Sequence, residues 1–158
     1  MNRILYLIRH SDAENALSGN RDFDRVLSAE GRVAAKRQAE RFILSQGRLD
    51  GLISSNAPRA WQTAEIFAEA ANIPDNRCIK WPILYSGNVN ELVAAAIPRA
   101  WNQVALIGHN PTLSQMAHFL CKGYQGDLPT CGIVGIAFSH TQWMWPNTGK
   151  IILQLDPQ

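Results

Sequence analysis

No apolar run in this 158-residue chain is long enough to cross a bilayer. The first one, Ile4 to Ile8, is stopped by Arg9 and His10, well short of a signal-peptide core. These absences point to a cytoplasmic protein that does not engage membranes. Cysteine is scarce: Cys78, Cys121 and Cys131 are an odd number with no paired spacing, which argues against a disulfide framework and against a zinc site. They read as free thiols in or near a core. A strong charge of one sign is missing too. Fifteen basic and thirteen acidic side chains leave a formal charge of +2, so no general attraction to nucleic acid follows. Repeats, low-complexity tracts and linkers are absent, and the length fits one domain over residues 1–158.

What is present alternates. Ile4 to Ile8 reads as a short strand buried on both faces. A polar loop follows, from Ser11 to about Arg25. Ser28 is placed to cap a helix whose apolar stripe is Ala35, Ala39 and Phe42. Gly51 to Ser54 is a second strand, and Pro58 suits the first turn of the next helix, with Ala60, Ala64, Phe67, Ala68 and Ala71 as its stripe. A third strand is expected within Arg77 to Ile83. Asn88 to Glu91 has the form of a capping box, opening a helix through Ile97 that Pro98 ends. Gln103 to Gly108 is a strand, and Asn110-Pro111 starts a helix carrying Leu113, Met116, Ala117 and Leu120. Ile133 to Ser139 and Lys150 to Leu155 close the chain as strands, with Trp143 and Trp145 placed as a cross-strand aromatic pair in a hairpin. Strands alternating with helices imply a three-layer α/β/α fold with a mainly parallel sheet.

In such sheets ligands collect beyond the carboxyl ends of the strands. Three of these ends carry unusual residues: Arg9-His10-Ser11, then Ser54 through Arg59, then Gly108-His109-Asn110-Pro111. Two arginines and two histidines would gather on one edge of the sheet, where two helix N-termini also point. An arginine fork matches two phosphoryl oxygens and stays charged, and free N–H groups at a helix start add donors. A histidine among them can attack phosphorus if one ring nitrogen is unprotonated. Singly, each residue has an ordinary explanation: Arg9 where a strand meets solvent, Arg59 on a helix surface, His109 satisfied in a core. Their coincidence at three strand ends favours function.

These residues resemble a known family. Leu7-Ile8-Arg9-His10 resembles the R-H-G signature of the histidine phosphatase superfamily, with Ser11 in the glycine position. Ser54 to Ala64 resembles its S-x-x-x-R-A-x-Q-T-A motif. Leu106 to Pro111 is similar to the V-G-H-N-P motif of the SixA-type phosphohistidine phosphatase branch, and Leu27-Ser28-Ala29-Glu30-Gly31 to that branch's L-T-x-x-G segment. The resemblance implies a phosphoglycerate-mutase-like fold in a minimal version, without a large cap insertion. It implies that His10 is the nucleophile and becomes phosphohistidine, while Arg9, Arg59 and His109 bind the phosphoryl oxygens, with no metal and no cofactor. Ser11 and Asn110 join them as expected substrate contacts.

The acid that protonates the leaving group is not fixed by the motifs. Asp12 ranks first and Glu14 second, although either suits a solvated loop, and Glu91 fits a helix cap better. His118 and His140 read as surface or packing residues, and Trp61 and Trp101 as core or boundary residues. The expected activity is hydrolysis of phosphohistidine on a protein, such as a phosphohistidine-bearing signalling domain. The alternatives are a small-molecule phosphomonoesterase and a phospho-binding module without turnover. A mutase is the weaker reading, because the usual acid and enclosing insertion are missing.

Overall fold

A computed structural model describes residues 2–45 and 47–158. Six strands form one sheet: β1 (Asn2–Arg9), β2 (Gly51–Ser54), β3 (Cys78–Lys80), β4 (Gln103–Gly108), β5 (Ile133–Ser139) and β6 (Lys150–Leu155). Their order is β3-β2-β4-β1-β5-β6. Neighbours among β3, β2, β4 and β1 pair in parallel, and β5 runs against both β1 and β6. The helices are α1 (Ala29–Leu44), α2 (Pro58–Ala71), α3 (Ile83–Ser86), α4 (Val89–Ala94) and α5 (Thr112–Leu120). The fold is therefore the expected mixed α/β sheet, parallel for the most part.

The central strands show why so short an apolar run suffices. In β1, Leu5 and Leu7 enter one core with Val104, Leu106, Leu113 and Met116, whereas Tyr6 and Ile8 enter another with Phe42, Ala60, Ala64 and Phe67. Strand β4 divides in the same way, because successive side chains leave a strand on opposite faces. The sheet is thus covered on one face by α1 and α2 and on the other by α3, α4 and α5. At the start of α1 the Ser28 hydroxyl accepts the Gly31 N–H at 2.9 Å, as a cap should.

Strand β3, Cys78–Lys80, falls within the stretch expected to hold it, and Ile83 opens α3. Two expectations are corrected. Helix α4 stops at Ala94, with extended backbone at Ala95, so Ile97 is buried from outside the helix. Trp143 and Trp145 are not a cross-strand pair. Both lie in the connection between β5 and β6, where Trp143 packs edge-on against Phe138 and under the Arg3 guanidinium, 3.9 Å from its ring centre. Trp145 is exposed. No helix among the described residues is long and apolar enough to cross a membrane.

Candidate active site

Register brings the two histidines together. Arg9 pairs with Gly108 across β1 and β4, so the residues that follow, His10 and His109, leave adjacent strand ends. The His10 N–H donates to the Gly108 carbonyl at 3.0 Å, and the two rings lie 5.0 Å apart. Ser54 pairs with Ile107 in the same way, which carries Ser55 and the start of α2 alongside. Arg59 stands in the first turn of α2. The result is a concavity of about 330 Å³ lined by Arg9, His10, Asp12, Arg59, His109 and Asn110, together with Ala13, Asp22, Arg25 and Thr130.

The protonation of His10 follows from its surroundings. Its Nδ1 is 2.7 Å from the Ser11 carbonyl oxygen, which can only accept. The ring proton is therefore on Nδ1, and the Nε2 lone pair is free. Burial, reinforced by Arg59, Arg9 and Arg25 and opposed by the bond to Ser11, holds the imidazole down at about 4. At neutral pH His10 is an uncharged base among arginines.

His109 is also neutral: burial first, then His10, Arg59 and Arg9, set against Asp22, push it down to about 3. Its Nε2 lies 2.8 Å from the Ser55 hydroxyl, which already accepts the Ala57 N–H at 3.1 Å. If Ser55 donates its proton to Nε2, only one polar atom of the pair is left without a partner. That atom is Nδ1, carrying the hydrogen, and it is buried. The reverse tautomer would strand the hydroxyl proton as well.

Arg59 is 5% exposed and is held by a residue the sequence did not single out. Its Nη1 donates to the Asp22 carbonyl at 2.9 Å and its Nη2 to the Asp22 carboxylate at 3.0 Å. Asp22 also accepts from Arg25 Nη1 at 3.1 Å and from the Tyr85 hydroxyl at 3.2 Å. Arg25 foremost, with Arg59 and Tyr85, keeps this carboxyl below the usual aspartate range, against an opposing effect of desolvation. Two of the five guanidinium N–H groups of Arg59 are thus engaged, and its Nε is buried with no partner among the described residues.

The structure thus brings together His10, Arg9, Arg59, His109, Asn110 and Asp12. Ser11 is corrected: it is fully buried, its hydroxyl donates to the Gly31 carbonyl at 2.7 Å, and its N–H donates to Thr63 Oγ1 at 3.1 Å. It fastens the strand end to α1 and α2 and contributes no hydroxyl to the cavity. Asn110 lines the cavity, yet its side chain is engaged elsewhere, with Nδ2 on the Leu128 carbonyl at 2.8 Å and Oδ1 on Ser114. The Asp12 carboxylate accepts the Ser28 hydroxyl at 2.7 Å, beside the cap of α1. Glu91 closes the capping box of α4, and Glu14 borders a neighbouring hollow with Arg21 and Asp24. His118 meets the Gly126 carbonyl, His140 is exposed, and Lys80 lies over the Trp61 ring, all away from the cavity. Asp22, Arg25, Tyr85 and Ser55 were the residues missed. Asp22 and Arg25 lay inside the loop read from Ser11 to Arg25, and no periodicity marks a loop residue that folds back.

Known proteins match on both sequence and shape. The family model of the histidine phosphatase superfamily (branch 1) matches residues 5–84. An uncharacterised protein of Picosynechococcus is 30% identical over 137 residues, 84% of this chain and 83% of its own. A crystal structure from Agrobacterium tumefaciens, assigned as the phosphohistidine phosphatase SixA, superposes with a TM-score of 0.82 at 25% identity, covering 98% of both chains. The protein histidine phosphatase SixA complexed with tungstate superposes at 0.83 with 22% identity, over 97% of this chain and 96% of that one. The motifs, the fold and these matches agree, and the chain belongs to the histidine phosphatase superfamily, branch 1, with SixA-like structure.

Proposed function

We propose that this phosphatase works by covalent catalysis on His10 and that its substrate is phosphohistidine on a protein. The observation that carries the reading is the bond from His10 Nδ1–H to the Ser11 carbonyl, which leaves Nε2 as a neutral nucleophile at the mouth of an arginine-lined cavity. In the first step Nε2 attacks phosphorus, a P–N bond forms, and the leaving group departs with its bonding pair. In the second step water attacks phosphorus, the P–N bond breaks and returns its pair to Nε2, and inorganic phosphate leaves. Arg9 and Arg59 meet the charge on the phosphoryl oxygens, which is the work a metal does elsewhere. His109 adds a neutral donor. The whole chain acts as one catalytic unit in the cytoplasm, needing no cofactor.

The substrate class rests on the acids. Of the carboxylates, Asp12 and Asp22 line the cavity. Asp22 is held ionised by Arg25, and Asp12 is tied to the cap of α1. Neither is set apart as a ready proton donor. Phosphohistidine needs none from the protein, because its far ring nitrogen can be protonated from water near neutral pH and it leaves as neutral imidazole. Release of phosphate from p-nitrophenyl phosphate, compared between wild type and a folded His10→Ala protein, is the first test. Loss of turnover supports the reading, and substantial residual activity contradicts it. Turnover should also survive EDTA; a loss restored by a divalent metal would overturn the metal-free scheme.

A further inference from the structure

We infer that Ser114, in the first turn of α5, is a positioning residue that sets Arg9 through Asn110 and the backbone of Leu128. The inference rests on the reading of Arg9 as a phosphoryl-binding group. Three residues close a ring of hydrogen bonds. Ser114 Oγ donates to Asn110 Oδ1 at 2.8 Å, Asn110 Nδ2 donates to the Leu128 carbonyl at 2.8 Å, and the Leu128 N–H donates back to Ser114 Oγ at 2.9 Å. The Ser114 N–H adds a bond to Asn110 Oδ1 at 3.2 Å. Ser114 and Leu128 are both buried, at 5% and 2% exposure, while Asn110 is half-buried at the cavity wall, so the Ser114–Leu128 side of the ring is kept from water.

The ring ends on the catalytic side. The Leu128 carbonyl that Asn110 holds also accepts Arg9 Nη1 at 3.2 Å, and this is the side-chain hydrogen bond the structure gives Arg9. Arg9 Nε is buried without a partner. The direction of the guanidinium therefore depends on where that carbonyl stands, and the carbonyl stands where Ser114 and Asn110 fix it. A hydroxyl is suited to the task because it donates to one neighbour and accepts from the other, which a methyl cannot do. Asn110 is in this view a link in the ring and acts on substrate by way of Arg9.

The test uses an isosteric pair in the full chain. Ser114→Thr keeps the hydroxyl and Ser114→Val replaces it by a methyl at the same volume, so the pair separates bonding from packing. The Thr protein is expected to exceed the Val protein at least ten-fold in kcat/KM on p-nitrophenyl phosphate, since small misplacements of a binding group cost about that or more. Equal rates would overturn the inference. The same pair in an Arg9→Ala background reads the coupling: a Thr-to-Val difference shrunk to less than about two-fold is expected, because residues acting through one another are not additive. An undiminished difference there would show that Ser114 acts on something other than Arg9 and would also overturn it. If Arg9→Ala alone left activity intact, the phosphoryl-binding role of Arg9 would fail, which is a separate result.

Discussion

Leaving-group chemistry is where the carboxylates of this site have their largest consequence. An alkoxide leaving from phosphoserine needs a proton, and a well-placed acid supplies roughly a hundred- to ten-thousand-fold. Asp22 lines the same cavity as His10 but is paired with Arg25 and Arg59 and lies below the usual aspartate range. Even at an ordinary value of about 3.9, roughly one Asp22 in a thousand would hold a proton at pH 7, and the arginines reduce that further. Asp12 is the other carboxylate at the cavity, and Ser28 occupies one of its oxygens. Rates on phosphohistidine and on p-nitrophenyl phosphate, which do not need the proton, should therefore exceed the rate on a phosphoserine peptide by about the factor an acid supplies. The assay measures kcat/KM on all three with wild type, Asp12→Asn and Asp22→Asn. Equal rates on the three substrates would mean that a competent acid exists and would refute the reasoning. A selective loss of phosphoserine turnover in Asp12→Asn would identify it.

Arg59→Lys should lower kcat/KM by roughly a hundred-fold or more, because an ammonium cannot grip Asp22 twice and still present a fork to the phosphoryl group; full activity in that variant would show that charge alone suffices. Gly31→Ala should destabilise the protein by about 1–3 kcal/mol or more in urea unfolding, since a Cβ there would stand 2.0 Å from the Asp12 carbonyl oxygen, and an unchanged midpoint would contradict this packing. Acid should weaken the fold by way of His10. Its folded value of about 4 is below the unfolded value of about 6.5, so between these the unfolded chain binds more protons. Stability is then lost as pH falls from about 6.5 towards 4, and a His10→Gln protein should lose less than wild type over that range in thermal melts; identical slopes would show that His10 is not held neutral.

The apolar runs of β1, β2 and β4 were legible in the sequence because each is buried on both faces, and a strand with no solvent side needs no alternation to be recognised. The Ser28 cap and the capping box at Asn88 were legible because caps are local. The quartet of Arg9, His10, Arg59 and His109 could be read because strand ends collect ligands, and register then placed them together. What escaped was set by distant contacts. Ser11 looked like a cavity residue from its place in the chain, yet it turns inward because Gly31, lacking a Cβ, lets α1 press against Asp12. Asp22 grips Arg59 across 37 positions, and Tyr85 reaches Asp22 across 63. No propensity or period encodes such pairs. The fourth helix came out shorter than expected because Ala95 turns extended before Pro98.

The central claim is that the phosphoryl group passes through His10. Wild-type protein mixed with radiolabelled phosphohistidine protein and quenched within one turnover should carry a label that is stable in alkali and lost in acid, as a phosphoramidate is, and mass spectrometry under alkaline conditions should place it on His10. A label that survives acid, or one that remains in a folded His10→Ala protein, would contradict the claim.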